Sequence, residues 1–202
     1  MMNYKIEMNK VKDENSNLKA LASVVFGDVF KVTGVALKEG KNGYFLDFPS
    51  YKTSQKKEDG TDQYNNFFNP ITSEFAQELK DNMVQVFESD QNELYVGDYG
   101  ENLKIEASAH PFTREDSLKG VASLYIEDVF VAKNFSIREG DNGLYINNPS
   151  MKTKKTNEDG SPQYRDVAYP VTKEARENIY DKIFTAYKER ELSQQPDKPK
   201  TR

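Results

Sequence analysis

The chain has 202 residues, a net charge of −5 at pH 7, no cysteine and no tryptophan. The lack of cysteine excludes disulfides, thiolate metal sites and a cysteine nucleophile. The 12 Phe and 12 Tyr are too many for a fully disordered chain. No apolar run approaches the roughly 18 residues that span a bilayer, and the N-terminal segment lacks the apolar stretch of a signal peptide. We therefore predict a folded cytoplasmic protein.

The chain is a tandem repeat. Residues 18–88 align without gaps to residues 118–188, at a constant offset of 100. The shared motifs include Asp-Val-Phe, Pro-Ser-x-Lys-Thr and Glu-Asp-Gly-x-x-Gln-Tyr. The period is too long for a solenoid, whose units run roughly 20–50 residues. The sequence thus predicts two domains, at residues 1–90 and 102–190. A linker at 91–101 joins them, and a disordered tail follows at 191–202.

The first part of each repeat is typical of β-structure. Alternating apolar and polar residues predict four strands, which in the first repeat lie at 5–8, 18–26, 29–37 and 44–48. Gly27-Asp28 marks the tight turn of a hairpin. Asn42-Gly43 is the pair that favours a type I′ turn, because both residues tolerate a positive φ. The second repeat gives the same order.

The second part of each repeat predicts a long loop and then a helix. Residues 50–64 and 150–164 are polar throughout and are interpreted as flexible loops. Thr72 and Thr172 are candidate helix N-caps, and apolar residues then recur at helical spacing. The predicted fold class is α+β. Two tandem copies of a small antiparallel sheet, each with one C-terminal helix, would pack as a pseudo-two-fold dimer within one chain.

The candidate binding residues are the cations of the two loops. Lys152, Lys154, Lys155 and Arg165 are interleaved with hydroxyl groups, which suits phosphate binding. The alternative is a solvated charged loop. The first loop has Lys52, Lys56 and Lys57 but no arginine, and every Arg of the chain lies after residue 100. Residues 1–100 carry 11 basic against 16 acidic side chains, whereas residues 101–202 carry 17 of each.

Other polar and aromatic residues have weaker claims. Tyr64 and Tyr164 could stack on unpaired bases, although we favour a role in anchoring each loop to its sheet. His110 is the single histidine and lies outside the aligned repeat, so we expect it to be solvated. Asp59 and Asp159 precede glycine, as turn residues do. We predict no catalytic residue, metal site or cofactor, and no enzyme activity.

The second repeat resembles the bacterial SpoVG family of sporulation and septation regulators. The resemblance rests on Pro149-Ser150-x-Lys152-Thr153, on Asp159-Gly160-x-x-Gln163-Tyr164-Arg165-Asp166 and on the closing helix. It implies a sheet-and-helix dimer that binds DNA or RNA. The first repeat matches more loosely, with Asn65-Asn66 in place of the Arg-Asp pair.

Two hypotheses follow. The leading one is a nucleic-acid-binding regulator in which the second repeat dominates, because it alone has the planar fork of arginine. The alternative is a module that has lost nucleic-acid binding and pairs with a protein partner. The acidic balance of the first half and its missing arginine motivate that alternative.

Overall fold

The computed structural model describes residues 2–13, 15–98, 103–113 and 115–194. The strands of the first repeat are β1 (Tyr4–Lys10), β2 (Leu18–Phe26), β3 (Phe30–Gly40), β4 (Gly43–Asp47), β5 (Ser50–Lys56), β6 (Asp62–Asn66), β7 (Phe68–Pro70) and β8 (Glu93–Val96). Those of the second are β9 (Ile105–Pro111), β10 (Leu118–Ile126), β11 (Phe130–Gly140), β12 (Gly143–Asn147), β13 (Ser150–Thr156), β14 (Pro162–Asp166) and β15 (Ala168–Pro170). The helices are α1 (Ser73–Glu88) and α2 (Lys173–Gln194).

Each repeat forms an antiparallel sheet around its longest strands. In the first repeat β2 lies between β1 and β3, β4 pairs with the far half of β3, and β8 extends the sheet beyond β1. The second sheet has the order β12-β11-β10-β9. Side chains alternate between the two faces of a strand, and Tyr4, Ile6 and Met8 of β1 are buried on the helix side.

The two repeats exchange one short strand each. β7 of the first repeat pairs with β11 of the second, with Phe68 opposite Ala132. β15 of the second repeat pairs with β3 of the first, with Ala168 opposite Val32. The exchange is reciprocal at an offset of 100, so each repeat completes the other's sheet. The predicted pseudo-two-fold α+β arrangement is therefore confirmed.

One hydrophobic core runs through both repeats. Phe130 of the second repeat lies 4.8 Å from Phe26, 6.0 Å from Phe68 and 6.2 Å from Phe75, measured between ring centroids. All three neighbours belong to the first repeat. Because these rings are buried together, neither repeat has a complete core without the other.

The helices begin at the predicted caps. The Thr72 hydroxyl accepts a hydrogen bond from the Phe75 amide at 3.3 Å, and that of Thr172 accepts one from the Ala175 amide at 3.0 Å. α1 buries Phe75, Leu79, Met83 and Val86. α2 extends to Gln194, into the segment predicted as a tail, and residues 195–202 lie outside the described residues. The predicted linker contains β8, and residues 99–102 are likewise outside the description.

The tight turns differ from expectation in one respect. Gly27 and Asp28 both have positive φ, at 49° and 52°, as a type I′ turn requires. At Asn42-Gly43 only the glycine has positive φ, at 96°. The type I′ prediction for Asn42-Gly43 is therefore wrong, because the chain needs one left-handed residue there and not two.

The two helices approach their sheets differently. α2 packs along β9, whereas α1 contacts β1 at fewer positions. The pairing register places Ala107 and Ala109 of β9 where β1 has Ile6 and Met8. These small residues leave room for α2. Gly120 adds to the space, since a Cβ atom there would lie 3.1 Å from the ring of Tyr187.

Candidate nucleic-acid interface

The two predicted loops are β-hairpins, so the prediction of flexible loops is wrong. β5 and β6 form the first hairpin (residues 50–66), and β13 and β14 form the second hairpin (residues 150–166). In both, a lysine stands directly opposite a tyrosine: Lys52 opposite Tyr64, and Lys152 opposite Tyr164. The ribbons are polar on both faces and therefore lack the apolar alternation by which strands are recognised.

A turn closes each hairpin in the same way. In the first, the Gly60 amide donates to the Lys57 carbonyl at 2.9 Å, and Gly60 takes a φ of 79°. The Asp59 carboxylate accepts hydrogen bonds from the hydroxyl and the amide of Thr61, which hold its pKa below the usual range. Asp159 does the same with Ser161. Both aspartates are thus turn residues.

The second hairpin presents its cations to solvent. The side chains of Lys152, Lys154, Lys155 and Arg165 are exposed. Among the described residues, no carboxylate lies within ion-pair distance of any of the four. Arg165 is opposite Met151, one residue away from the Lys152–Tyr164 pair, so Arg165 and Lys152 lie on opposite faces of the ribbon. The hairpin therefore offers unpaired positive charge on both faces.

The first hairpin neutralises most of its charge internally. Asp62 pairs with Lys52 at 2.6 Å through one carboxylate oxygen and with Lys56 through the other. Hydrogen bonds from these two lysines hold the pKa of Asp62 below its usual range. The equivalent position in the second hairpin is Pro162. Lys57, at the exposed turn, has no carboxylate within ion-pair distance in the part of the chain that the structure describes.

The hairpin tyrosines do not anchor the loops. Tyr64 is 57% exposed and Tyr164 is 61% exposed, so the anchoring role that we favoured is wrong. The residues that do anchor the ribbons are Tyr51 and Met151, which pack against the core. The ring of Tyr51 lies 4.8 Å from that of Phe67. Both exposed tyrosines are therefore available for stacking.

Arg165 of the second hairpin faces residues of the first repeat. The exchanged strand β15 follows this hairpin and holds it against the outer face of the first repeat's sheet. A cavity of about 560 Å³ lies between them, with Tyr164, Arg165 and Asp166 on one side and Lys31 and Thr33 on the other. The Thr33 hydroxyl is buried and has no hydrogen-bond partner among the described residues. The candidate site is thus shared by both repeats.

Sequence reasoning missed Lys31, Lys133 and Asp62. Neither lysine belongs to a repeated motif, because Lys31 has Val131 as its counterpart and Lys133 has Thr33. Their position beside the hairpins follows from the strand exchange and cannot be recognised in the sequence alone. Asp62 was detectable, since it replaces a proline inside an otherwise matching motif.

Possible metal ligands and the single histidine are the remaining polar groups to place. No group of three His, Asp or Glu side chains among them is placed to hold a metal ion. His110 lies exposed on strand β9, with its ring 5.6 Å from that of Phe112. Neither described helix is long and apolar enough to cross a membrane.

Comparison with known proteins gives a consistent result. A family model described as SpoVG matches residues 1–89 and again 103–189. A relative from Phytoplasma australiense, named as a candidate septation protein SpoVG, is 39% identical over 85 residues, which cover 42% of this chain and 82% of the relative. Relatives of the same name from Archaeoglobus fulgidus and Agathobacter rectalis are each 40% identical over 75 residues, which cover 37% of this chain and 81% and 79% of the relatives.

Proposed function

The chain belongs to the SpoVG family, as a tandem pair of SpoVG units, and on that basis we propose that it is a cytoplasmic regulator that binds DNA or RNA. The second hairpin carries most of the binding. The names of the relatives connect them with septation. Control of that process, or of sporulation, through nucleic-acid binding is part of the proposal.

The main support is the charge of the second hairpin. Lys152, Lys154, Lys155 and Arg165 are exposed and have no carboxylate partner among the described residues. A phosphate can therefore contact them without first breaking an ion pair. Arg165 adds a planar fork that can take a phosphate or a guanine edge with two parallel hydrogen bonds. The exposed ring of Tyr164 stands beside these cations.

Binding of this kind is local. The chain carries a net charge of −5, so most of its surface repels a polyanion. Attraction depends on a few cations held on a two-stranded ribbon. The first hairpin contributes less, because Asp62 occupies two of its three lysines. Lys57 remains as its free phosphate contact.

The experiment compares charge-removing variants of the two hairpins, with three cations replaced in the second hairpin and two in the first. Lys154→Ala/Lys155→Ala/Arg165→Ala and Lys56→Ala/Lys57→Ala are titrated with labelled mixed-sequence DNA and RNA oligonucleotides, by fluorescence anisotropy, between roughly 50 and 200 mM salt. The second-hairpin variant should bind more weakly, with a salt dependence flatter by about one unit for each lost phosphate contact.

The first-hairpin variant is expected to change binding less. Equal losses from the two variants would indicate a symmetric site instead. Unchanged binding in both would leave the hairpins as solvated surface. No binding by the unaltered chain would favour the alternative, a module that pairs with a protein partner.

A further inference from the structure

A groove beside the first hairpin reaches the first helix, whereas in the second repeat a hydrogen-bonded bridge ties the helix to the hairpin. This groove, called the first-repeat groove, has a volume of about 570 Å³, within the roughly 300–1,000 Å³ of ligand pockets. Its walls come from β4, the first hairpin and α1 of the first repeat, and from β11 of the second. The lining residues that carry the argument are Phe45, Phe48, Tyr64, Asn66, Lys80 and Lys133.

In the second repeat a hydrogen-bonded bridge occupies the helix side of the equivalent space, and the part beside Tyr164, Arg165 and Thr33 remains open as the cavity of about 560 Å³. The Tyr180 hydroxyl donates to Asn148 Oδ1 at 3.0 Å, and Asn148 Nδ2 donates to Asp166 Oδ2 at 2.9 Å. The helix is thereby tied to the base of the hairpin. The first repeat has Lys80, Phe48 and Asn66 at these three positions, and they cannot form the same bridge.

The chemistry of the first-repeat groove suits a flat aromatic ligand. Tyr64 is 57% exposed and Phe45 is 45% exposed, while Phe48 is half-buried with its ring 6.0 Å from that of Phe68. Large exposed rings give little to stability. They do offer faces on which a nucleobase can stack, a contact that every base can make.

The polar groups of the groove suit the rest of a nucleotide. No carboxylate is among the described residues that line it. Lys133 donates to the Asn69 amide oxygen at 3.2 Å, and Lys80 donates to Gln77 at 3.1 Å, so neither ammonium is neutralised by a described side chain. Asn65 and Asn66 bring amide donors and acceptors that can pair with a base edge.

We propose that the first-repeat groove binds an unpaired base of a single-stranded nucleic acid, with Lys80 or Lys133 on its phosphate. The inference rests on the proposed function and assigns a second, different task to the first repeat. A duplex keeps its bases stacked and cannot place one in the groove. The groove therefore selects single strands, whereas the second hairpin attracts any phosphate backbone.

Two variants test the groove. Phe48→Asn/Asn66→Asp/Lys80→Tyr transplants the bridge of the second repeat, a trio that this backbone already accommodates there. Tyr64→Ala removes the most exposed ring of the groove. Its control is Tyr95→Ala, which removes a ring that is 55% exposed on β8, at the opposite edge of the first sheet. Thermal unfolding of each variant confirms that it folds. The probes are a labelled mixed-sequence single-stranded DNA, the same sequence as RNA, and the duplex.

Both groove variants should weaken single-strand binding and leave duplex binding nearly unchanged. For Tyr64→Ala the loss should be roughly five- to a hundredfold, from the usual strength of a base–aromatic stack. An equal loss on duplex, an equal loss in Tyr95→Ala, or no loss would each overturn the proposal.

A second measurement separates this proposal from the proposed function. The unaltered chain, and the variant lacking Lys154, Lys155 and Arg165, are irradiated with a single strand containing 5-iodouracil, and the cross-linked residue is identified by mass spectrometry. Cross-links at Tyr64 or Phe45 in both proteins support the groove even if the hairpin proposal fails. Cross-links confined to Tyr164, or none at all, overturn the groove.

Discussion

The two hairpins share one backbone and differ in how their charges are used. In the first, one aspartate takes up two lysines, and in the second a proline leaves the lysines unpaired. The hydrogen bonds that close the two turns are the same. The ribbon geometry is therefore independent of the surface charge, and one substitution can change the electrostatics without changing the fold.

In the hydrophobic core the two repeats differ in the size of their side chains. The first repeat supplies Phe26, Phe68 and Phe75 to the shared core, and the second has Ile126, Ala168 and Ala175 at the same positions. The bulky rings of one repeat fill the space that the small side chains of the other leave. After duplication, each copy can thus depart from the sequence that a symmetric dimer would require.

The largest effect should come from Phe130, where the core of one repeat depends on the other. Phe130→Ala removes a fully buried ring that lies against three rings of the first repeat, and it should cost about 3–5 kcal/mol of unfolding free energy. Urea unfolding followed by circular dichroism should still give one transition. The control is Leu192→Ala, which is 67% exposed and should change stability by less than about 0.5 kcal/mol. Two separate transitions would show that the repeats fold independently.

The next effect concerns the different approach of the two helices. Gly120→Ala would place a Cβ atom 2.8 Å from the His110 carbonyl oxygen and 3.1 Å from the Tyr187 ring. Because backbone must move, the change should cost about 1–3 kcal/mol. The first repeat has Ala20 at this position, and Ala20→Gly should cost only about 0.5–1 kcal/mol. Equal unfolding midpoints for Gly120→Ala and the unaltered chain would disprove the close packing of α2.

The repeat and its elements could be predicted from sequence because they depend on local patterns. Asp128-Val129-Phe130 repeats Asp28-Val29-Phe30, and a threonine N-cap precedes each helix. The strand exchange could not be predicted in this way. Its residues, Phe68–Pro70 and Ala168–Pro170, are extended next to a proline, but the edge to which they pair depends on how two sheets pack.

The candidate site was predictable in composition and not in arrangement. The cations of the hairpins are visible in the sequence, as is the replacement of Asp62 by Pro162. The groove between hairpin and helix is not, because Phe48, Asn66 and Lys80 come from three separate parts of the chain without a common spacing. Their proximity becomes visible only once the fold brings these elements together.

The charge difference between the hairpins can be reversed with one residue each. Pro162→Asp should place a carboxylate on the strand paired with that of Lys152, as Asp62 is placed relative to Lys52 in the first repeat, and weaken oligonucleotide binding by about three- to tenfold at low salt. Asp62→Asn should release Lys52 and Lys56 and strengthen binding. Both are measured by anisotropy titration. A loss of affinity in Asp62→Asn would indicate that hairpin geometry, and not charge, controls binding.

The smallest effect lies on the outer face of the first sheet, where Glu7 pairs with Lys31 at 2.6 Å and with Lys5 at 2.8 Å. The hydrogen bond from Lys31, followed by that from Lys5, holds the pKa of Glu7 below its ordinary value of 4.5. A carboxylate with a lowered pKa in the folded state stabilises the protein above that ordinary value and loses its contribution as the pH falls through the folded pKa.

Glu7→Gln should therefore be less stable than the unaltered chain at pH 7, by about 0.2–1 kcal/mol, and the difference should vanish in acid well below pH 4.5. Urea unfolding at several pH values measures it, with Glu106→Gln, in a more exposed pair of the second repeat, as the control. The same substitution frees Lys31, which lines the cavity beside Arg165. Nucleic-acid binding should therefore improve while stability falls. A parallel loss of both would show that Glu7 supports the site instead of competing with phosphate for Lys31.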